Sequence, residues 1–167
     1  MNVELLPVRE DQKSVLRQLL ELYAHDFSEY DDADVNEHGF YGYTYFDYYW
    51  TEPDRHPFFI RVNGKLAGFV LVSTYCYVCK EVGTKSISEF FVMRRYRRKG
   101  VGSLVARKVF DMFPGKWEVL QHGNNRPSHR FWEQVISKYT DGNFETKPAA
   151  TEEWEGQALI FDSSIRE

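Results

Sequence analysis

Apolar residues recur along this chain with two different periods, and the change from one to the other marks the elements. From Val101 onward, Val101, Leu104, Val105, Val109 and Met112 fall at helical spacing, with Arg107, Lys108 and Asp111 left for a solvated face. Pro114 and Gly115 end that helix. Just before it, Ile87 to Met93 is dominated by aromatic and β-branched residues with apolar side chains on both faces, as in a strand covered on two sides. The stretch Glu89 to Phe113 therefore predicts a central strand, a short cationic loop and a helix in direct succession.

The remaining pattern predicts more elements around this unit. Val3 to Val8 is an edge or near-edge strand, followed by a helix capped by Asp11 with Val15, Leu16, Leu19, Leu20 and Tyr23 on its apolar stripe. Phe58 to Val62 and Leu66 to Thr74 flank Asn63-Gly64-Lys65, a pair of strands joined by a tight turn. Glu81 to Ser86 reads as a loop, Trp117 to Gln121 as a strand and His122-Gly123-Asn124-Asn125 as a turn. Asn125 then caps a helix with Pro127 in its first turn and Phe131, Trp132, Val135 and Ile136 buried. Gln157 to Phe161 is the last strand, and residues after Asp162 are expected to be loosely held. No repeat or linker interrupts the chain, so residues 1–167 are expected to form one domain.

Residues 25–50 break the pattern. Asp26, Glu29, Asp31, Asp32, Asp34, Glu37 and Asp47 are interleaved with tyrosines and phenylalanines. One reading is a solvated acidic loop leading into a short aromatic helix from Thr44 to Trp50. The other is an acceptor site, where carboxylates attract a protonated amine and ring faces hold cations or apolar groups. Tyr30, Tyr41 and Tyr45 are equivalent in this respect.

Composition narrows the function classes. The chain has 167 residues, 43% of them hydrophobic and 17% aromatic, which excludes disorder. A formal net charge of −4 makes Arg94 to Lys99 a local basic feature and argues against a nucleic-acid-binding module. No apolar run approaches the roughly eighteen residues that span a bilayer, and no basic leader precedes an apolar segment, so a cytoplasmic protein without membrane contact is expected. Cys76 and Cys79 form a C-x-x-C pair with no second pair to complete a zinc site and no helix to open a redox motif, so incidental or structural thiols and no metal are expected.

The cationic loop, Arg97-Arg98-Lys99-Gly100-Val101-Gly102, has the physics of anion capture. A helix start carries backbone N–H groups without intrahelical partners and the positive end of the helix dipole. Gly100 and Gly102 can adopt backbone angles closed to other residues and let a diphosphate approach the main chain, while the three cations add attraction. A dinucleotide fingerprint would need a third glycine at its spacing, and a P-loop a glycine-preceded lysine followed by Ser or Thr; this loop has neither.

Arg97-x-x-Gly100-x-Gly102 after an apolar strand resembles motif A of the GNAT superfamily, the acetyl-CoA-dependent N-acetyltransferases. The resemblance extends through Asn125 and its helix, which are similar to motif B. It implies a mixed α/β fold with a central, mostly antiparallel, twisted sheet of about six or seven strands and helices on both faces. It further implies that backbone groups of Phe90, Phe91 and Val92 pair with the pantetheine arm of acetyl-CoA. Arg97, Arg98, Lys99, Gly100, Val101, Gly102 and Ser103 would hold the pyrophosphate, and Asn125 and Phe131 would line the outer arm. Where the family often carries a tyrosine that protonates the leaving thiolate, this chain has Trp132, whose indole is a poor acid.

An alkylammonium with a reference pKa near ~10.4 must lose a proton before it attacks a thioester. Glu89, which interrupts the apolar central strand, is the favoured base, and Glu118 on the next strand is the rival. The acceptor implied is a small-molecule or peptide amine, with residues 25–50 leaning towards a cationic one. The alternative reading is an acyl-CoA-binding regulatory domain without catalysis. The sequence leaves monomer and homodimer open.

Overall fold

The computed structural model describes residues 1–151 and 155–165. Its elements follow in the order β1 (Val3–Pro7), α1 (Lys13–Asp31), α2 (Tyr48–Thr51), β2 (His56–Val62), β3 (Lys65–Ser73), β4 (Lys85–Val92), α3 (Val101–Met112), β5 (Lys116–His122), α4 (Arg126–Thr140), β6 (Glu145–Ala150) and β7 (Glu155–Asp162). Among the described residues these strands form a seven-stranded sheet, ordered β1-β2-β3-β4-β5-β7-β6. Every neighbouring pair is antiparallel except β4 and β5.

The period-two alternation of the central strands sends successive side chains to opposite faces. Phe58, Ile60, Val70 and Val72 join Val105, Val109, Phe110 of α3 and Trp132, Val135, Ile136 of α4 in one core. Phe59, Phe69, Leu71 and Phe91 join Leu16, Leu19 and Leu20 of α1 and Tyr49 of α2 in the other. The helices thus cover both faces. The turn between β2 and β3 uses Asn63 at φ 51° and Gly64 at φ 80°, the left-handed pair that its sequence demands.

Several elements differ from the sequence reading. Helix α1 runs on to Asp31, so Asp26, Glu29 and Asp31 are helical and the expected acidic loop begins only at Asp32, which closes the helix at φ 55°. Asp11 does not cap α1. It sits in a 3-10 turn, Glu10–Gln12, and pairs with Arg9 at 3.1 Å. Val15 is 38% exposed rather than on the apolar stripe. The aromatic helix contracts to α2, and β4 starts at Lys85, inside the predicted loop. Strand β6, Glu-Thr-Lys-Pro-Ala-Ala, was not predicted; its exposed, proline-bearing sequence forms an edge strand because β7 offers it a partner. Ser163 is buried, with its N–H donating to the Gly115 carbonyl at 2.8 Å, so the chain past Asp162 is tied down at that point.

Candidate active site

Strands β4 and β5 pair at only two positions, Lys85 with Trp117 and Ser86 with Glu118. Beyond them β4 carries a bulge: Leu71 of β3 faces Glu89 and Val72 faces Ile87, so Ser88 is left without an opposite number. A bulge bends its strand and raises its twist. The two strands diverge from there, and a cavity of about 880 Å³ opens in the wedge, with Ile87–Val92 on one side and Val119–His122 on the other. The β4 edge that faces this wedge is free to pair with an extended guest.

The cationic loop and the start of α3 close one end. Gly100, the residue before the helix, holds φ 80° in open space, and no side chain caps this end of α3. Its first-turn N–H groups are thereby presented to the cavity end. Gly102 has an ordinary helical φ but a crowded neighbour: a β-carbon there would lie 3.1 Å from Cζ of Phe131, which would have to shift by a few tenths of an ångström. The opposite wall begins at Asn125, whose Oδ1 accepts from the Ser128 N–H at 3.1 Å and caps α4.

Helix α1 lies across the wedge and is tied on both sides. The Asp26 carboxylate accepts from Arg94 Nη2 and from Arg97 Nη2, each at 2.5 Å, and Arg97 Nε donates to the Val92 carbonyl at 2.6 Å. On the far side, Asn124 Nδ2 donates to the Tyr30 carbonyl at 3.3 Å, and Phe27 meets the His122 ring edge-on at 5.9 Å. Burial pushes the Asp26 carboxyl up, but the hydrogen bonds from Arg97 and Arg94 outweigh it and hold it below the usual carboxylate range. The Glu21 carboxylate accepts from the N–H groups of Tyr41 at 2.8 Å and Gly42 at 2.9 Å, fastening the following loop beside the cavity.

Glu89 lies on the cavity wall among Tyr23, Tyr43 and Phe91. Desolvation pushes its carboxyl up to about 7; a hydrogen bond from the Tyr23 hydroxyl opposes the shift and the Asp31 charge adds to it. Burial, then the Glu89 charge, likewise raise the Tyr23 hydroxyl well above its ordinary value, so it stays a donor. A carboxyl poised near neutrality beside a main-chain edge can take a proton from a guest at physiological pH.

Of the residues singled out in the sequence, Glu89, Phe90, Phe91, Val92, Arg97, Arg98, Gly100, Gly102, Ser103, Asn125 and Phe131 line this one cavity. Lys99 is exposed and the Val101 side chain is buried in the core; neither lines it. Glu118 does not reach it. Its fully buried carboxylate accepts from the N–H groups of Tyr77 at 2.7 Å, Val78 at 2.9 Å and Cys79 at 2.7 Å, so its alternation on β5 sends it to the loop after β3. Trp132 is buried in the core and also borders the cavity, with its ring 4.9 Å from those of Phe90 and Phe131. Cys76 and Cys79 are free thiols beside Thr84, and burial, then the Glu118 charge, push the Cys76 thiol up to about 12. Among the described residues no three His, Cys, Asp or Glu side chains gather as a metal site would require. No helix there is long and apolar enough to cross a membrane.

Sequence reasoning had Asp26 and Tyr30 in a candidate acceptor segment and Tyr23 on the stripe of the first helix, but missed that one helix, α1, carries all three together with Phe27 to the cavity wall. The one available signal was the helical spacing of Tyr23, Phe27 and Tyr30, which continues the apolar stripe past the point where the acidic residues begin.

No curated relative matches the sequence. Among solved structures, the aminoglycoside acetyltransferase AAC(6')-Ib in complex with coenzyme A superposes with a TM-score of 0.70 at 15% identity, covering 96% of this chain and 95% of its own. An acetyltransferase from Thermus thermophilus gives 0.70 at 10% identity over 97% of both chains. The PaiA N-acetyltransferase of Thermoplasma acidophilum, in complex with coenzyme A, gives 0.61 at 11% over 97% of this chain and 99% of its own. At such identities the likeness establishes the shared fold. The model of the acetyltransferase (GNAT) family matches residues 16–136, from the apolar stripe of α1 to the middle of α4, and the chain belongs to that family of acetyl-CoA-dependent enzymes.

Proposed function

We propose that this enzyme transfers the acetyl group of acetyl-CoA to a primary amine of a small molecule or peptide, by direct attack within a ternary complex, with Glu89 as general base. Acetyl-CoA supplies the activated acyl carbonyl. The residues of this chain do the rest. The first turn of α3, with Arg97 and Arg98, holds the diphosphate by main-chain N–H groups and charge. The open edge of β4 at Phe90–Val92 pairs with the pantetheine arm, and a main-chain N–H there meets the negative charge that builds on the carbonyl oxygen. Asn125 and Phe131 border the outer arm.

The Glu89 carboxylate takes the proton that an ammonium must shed, and the nitrogen lone pair then forms the new C–N bond as the C–S bond breaks. The nitrogen's second proton passes to water; the sulfur, facing the Trp132 indole where a tyrosine would otherwise donate, departs as thiolate and takes its proton from that water. Acetyl-CoA is a cytoplasmic metabolite, so we place the enzyme in that compartment.

The observation that carries this reading is the convergence, in one cavity, of a carboxyl raised to about 7, an unpaired strand edge and an uncapped helix start. Purified protein given acetyl-CoA and a panel of primary amines should release free thiol, with Glu89→Gln releasing far less at neutral pH. Binding of acetyl-CoA without release for any amine would overturn it.

A further inference from the structure

We infer that the acceptor is a compact monoamine carried on an aromatic body, and not a polycation. This rests on the reading of the cavity as an acetyl-transfer site with Glu89 at its reacting end.

Little of the negative charge that residues 25–50 bring to the chain faces the cavity, where only Asp26 and Asp31 of that segment's carboxylates stand. Asp26 is committed to Arg94 and Arg97. Asp47 pairs with Lys13 at 2.7 Å and Glu37 with His38 at 3.1 Å. Glu29 accepts from the Tyr30 hydroxyl, and the neighbouring Glu21 is taken by two main-chain N–H groups. Asp32, Asp34 and Glu37 do not line the cavity. What remains on its wall is Glu89 inside and Asp31 at an exposed position, the latter already accepting from the Ala33 N–H at 3.0 Å. One carboxylate at the reacting centre balances one ammonium. A second ammonium would find only Asp31 at the exposed rim, and each further one of a polyamine or aminosugar would lie against the aromatic wall with no counter-charge, which costs more than a ring face returns.

The rest of the acceptor side is aromatic. Tyr23, Phe27, Tyr30 and Tyr43 line it, and Phe27 stands edge-on to Tyr30 at 5.9 Å, the arrangement that accepts a further ring. Helix α1 is fastened to the phosphate loop by Asp26 and to the turn after β5 by Asn124, so this wall is held in place across the wedge. A guest amine fits with its nitrogen at Glu89 and its ring against Phe27 and Tyr30.

The test compares thiol release from acetyl-CoA with phenylethylamine, tyramine, spermidine and kanamycin, alongside calorimetric titration of the protein with acetyl-CoA. The arylalkylamines should show the higher kcat/KM by about tenfold or more, the discrimination a matched apolar site commands. Phe27→Ala should raise the KM for phenylethylamine about fivefold, the scale of one lost ring contact, and leave the KM for acetyl-CoA unchanged. Preference for spermidine or kanamycin would overturn the inference and leave acetyl transfer standing. Acetyl-CoA binding without turnover of the arylalkylamines would overturn it too, whereas absence of acetyl-CoA binding would remove the underlying reading itself.

Discussion

Asp26 and Arg97 are seventy-one residues apart in the chain and meet in a hydrogen-bonded ion pair at 2.5 Å, joining α1 to the cationic loop before α3. The carboxylate occupies the guanidinium that a diphosphate would use. Arg97 keeps its orientation by donating also to the Val92 carbonyl, so Asp26 contributes charge to the loop more than it contributes shape.

Asp26→Asn is therefore expected to tighten coenzyme A binding. Both arginines are partly exposed and the pair is screened, so the gain should be about two- to fivefold at low salt and shrink as ionic strength rises. Calorimetry at two salt concentrations checks it, and weaker binding in the variant would show that Asp26 orients the loop.

Glu89 gives two separate pH signatures. As a base it must be ionised, so kcat/KM should rise with pH to a plateau above about 7. Glu89→Gln should lower turnover about a hundredfold at neutral pH and less at alkaline pH, where the amine loses its proton to solvent. A uniform loss across the profile would remove Glu89 as the base.

Stability should respond to the same carboxyl. Its folded value lies above its value in the unfolded chain, so between about 4.5 and 7 the native state holds a proton that the unfolded state has released. Folding stability from this group is full below that window and is lost as pH rises through it. In denaturant titrations Glu89→Gln should gain on wild type between pH 5 and pH 8, and a constant difference would contradict the burial cost assigned to the carboxylate.

Glu118 is expected to act on stability alone. Its carboxylate satisfies three main-chain N–H groups, and Glu118→Ala leaves these partly buried groups without that acceptor and a cavity in place of a fully buried side chain, at a cost of about 3 kcal/mol. Urea unfolding measures that loss. Turnover at a temperature where the variant stays folded should be near wild type; a collapse of kcat with stability intact would return Glu118 to the chemistry.

Gly102→Trp should abolish coenzyme A binding, since even a β-carbon at this position presses on Phe131 and an indole must enter the cavity between them. Circular dichroism verifies the fold and calorimetry the binding. Wild-type affinity in a folded variant would refute the cradle at the start of α3.

Much of the local conformation was legible from neighbouring residues alone. Helical spacing from Val101, the Asn63-Gly64 turn and the Asn125 cap each depend on a few adjacent positions, and all three stand in the structure where the pattern put them. The glycine loop was legible for the same reason, because positive φ at Gly100 is a property of the residue and its helix start. The remainder waited on long-range packing. Glu89 and Glu118 look alike as lone carboxylates on apolar strands, yet the bulge at Ser88 turns one to the cavity while three distant N–H groups claim the other. The acidic run looked like a lure for cations, but Arg94 and Arg97 hold Asp26, Lys13 holds Asp47, and Asp32, Asp34 and Glu37 do not line the cavity. Strand β6 carries no apolar alternation of its own and exists because β7 supplies its hydrogen bonds. Local conformation follows from nearest neighbours, whereas the meaning of a charge depends on which distant groups the fold brings within a few ångströms of it.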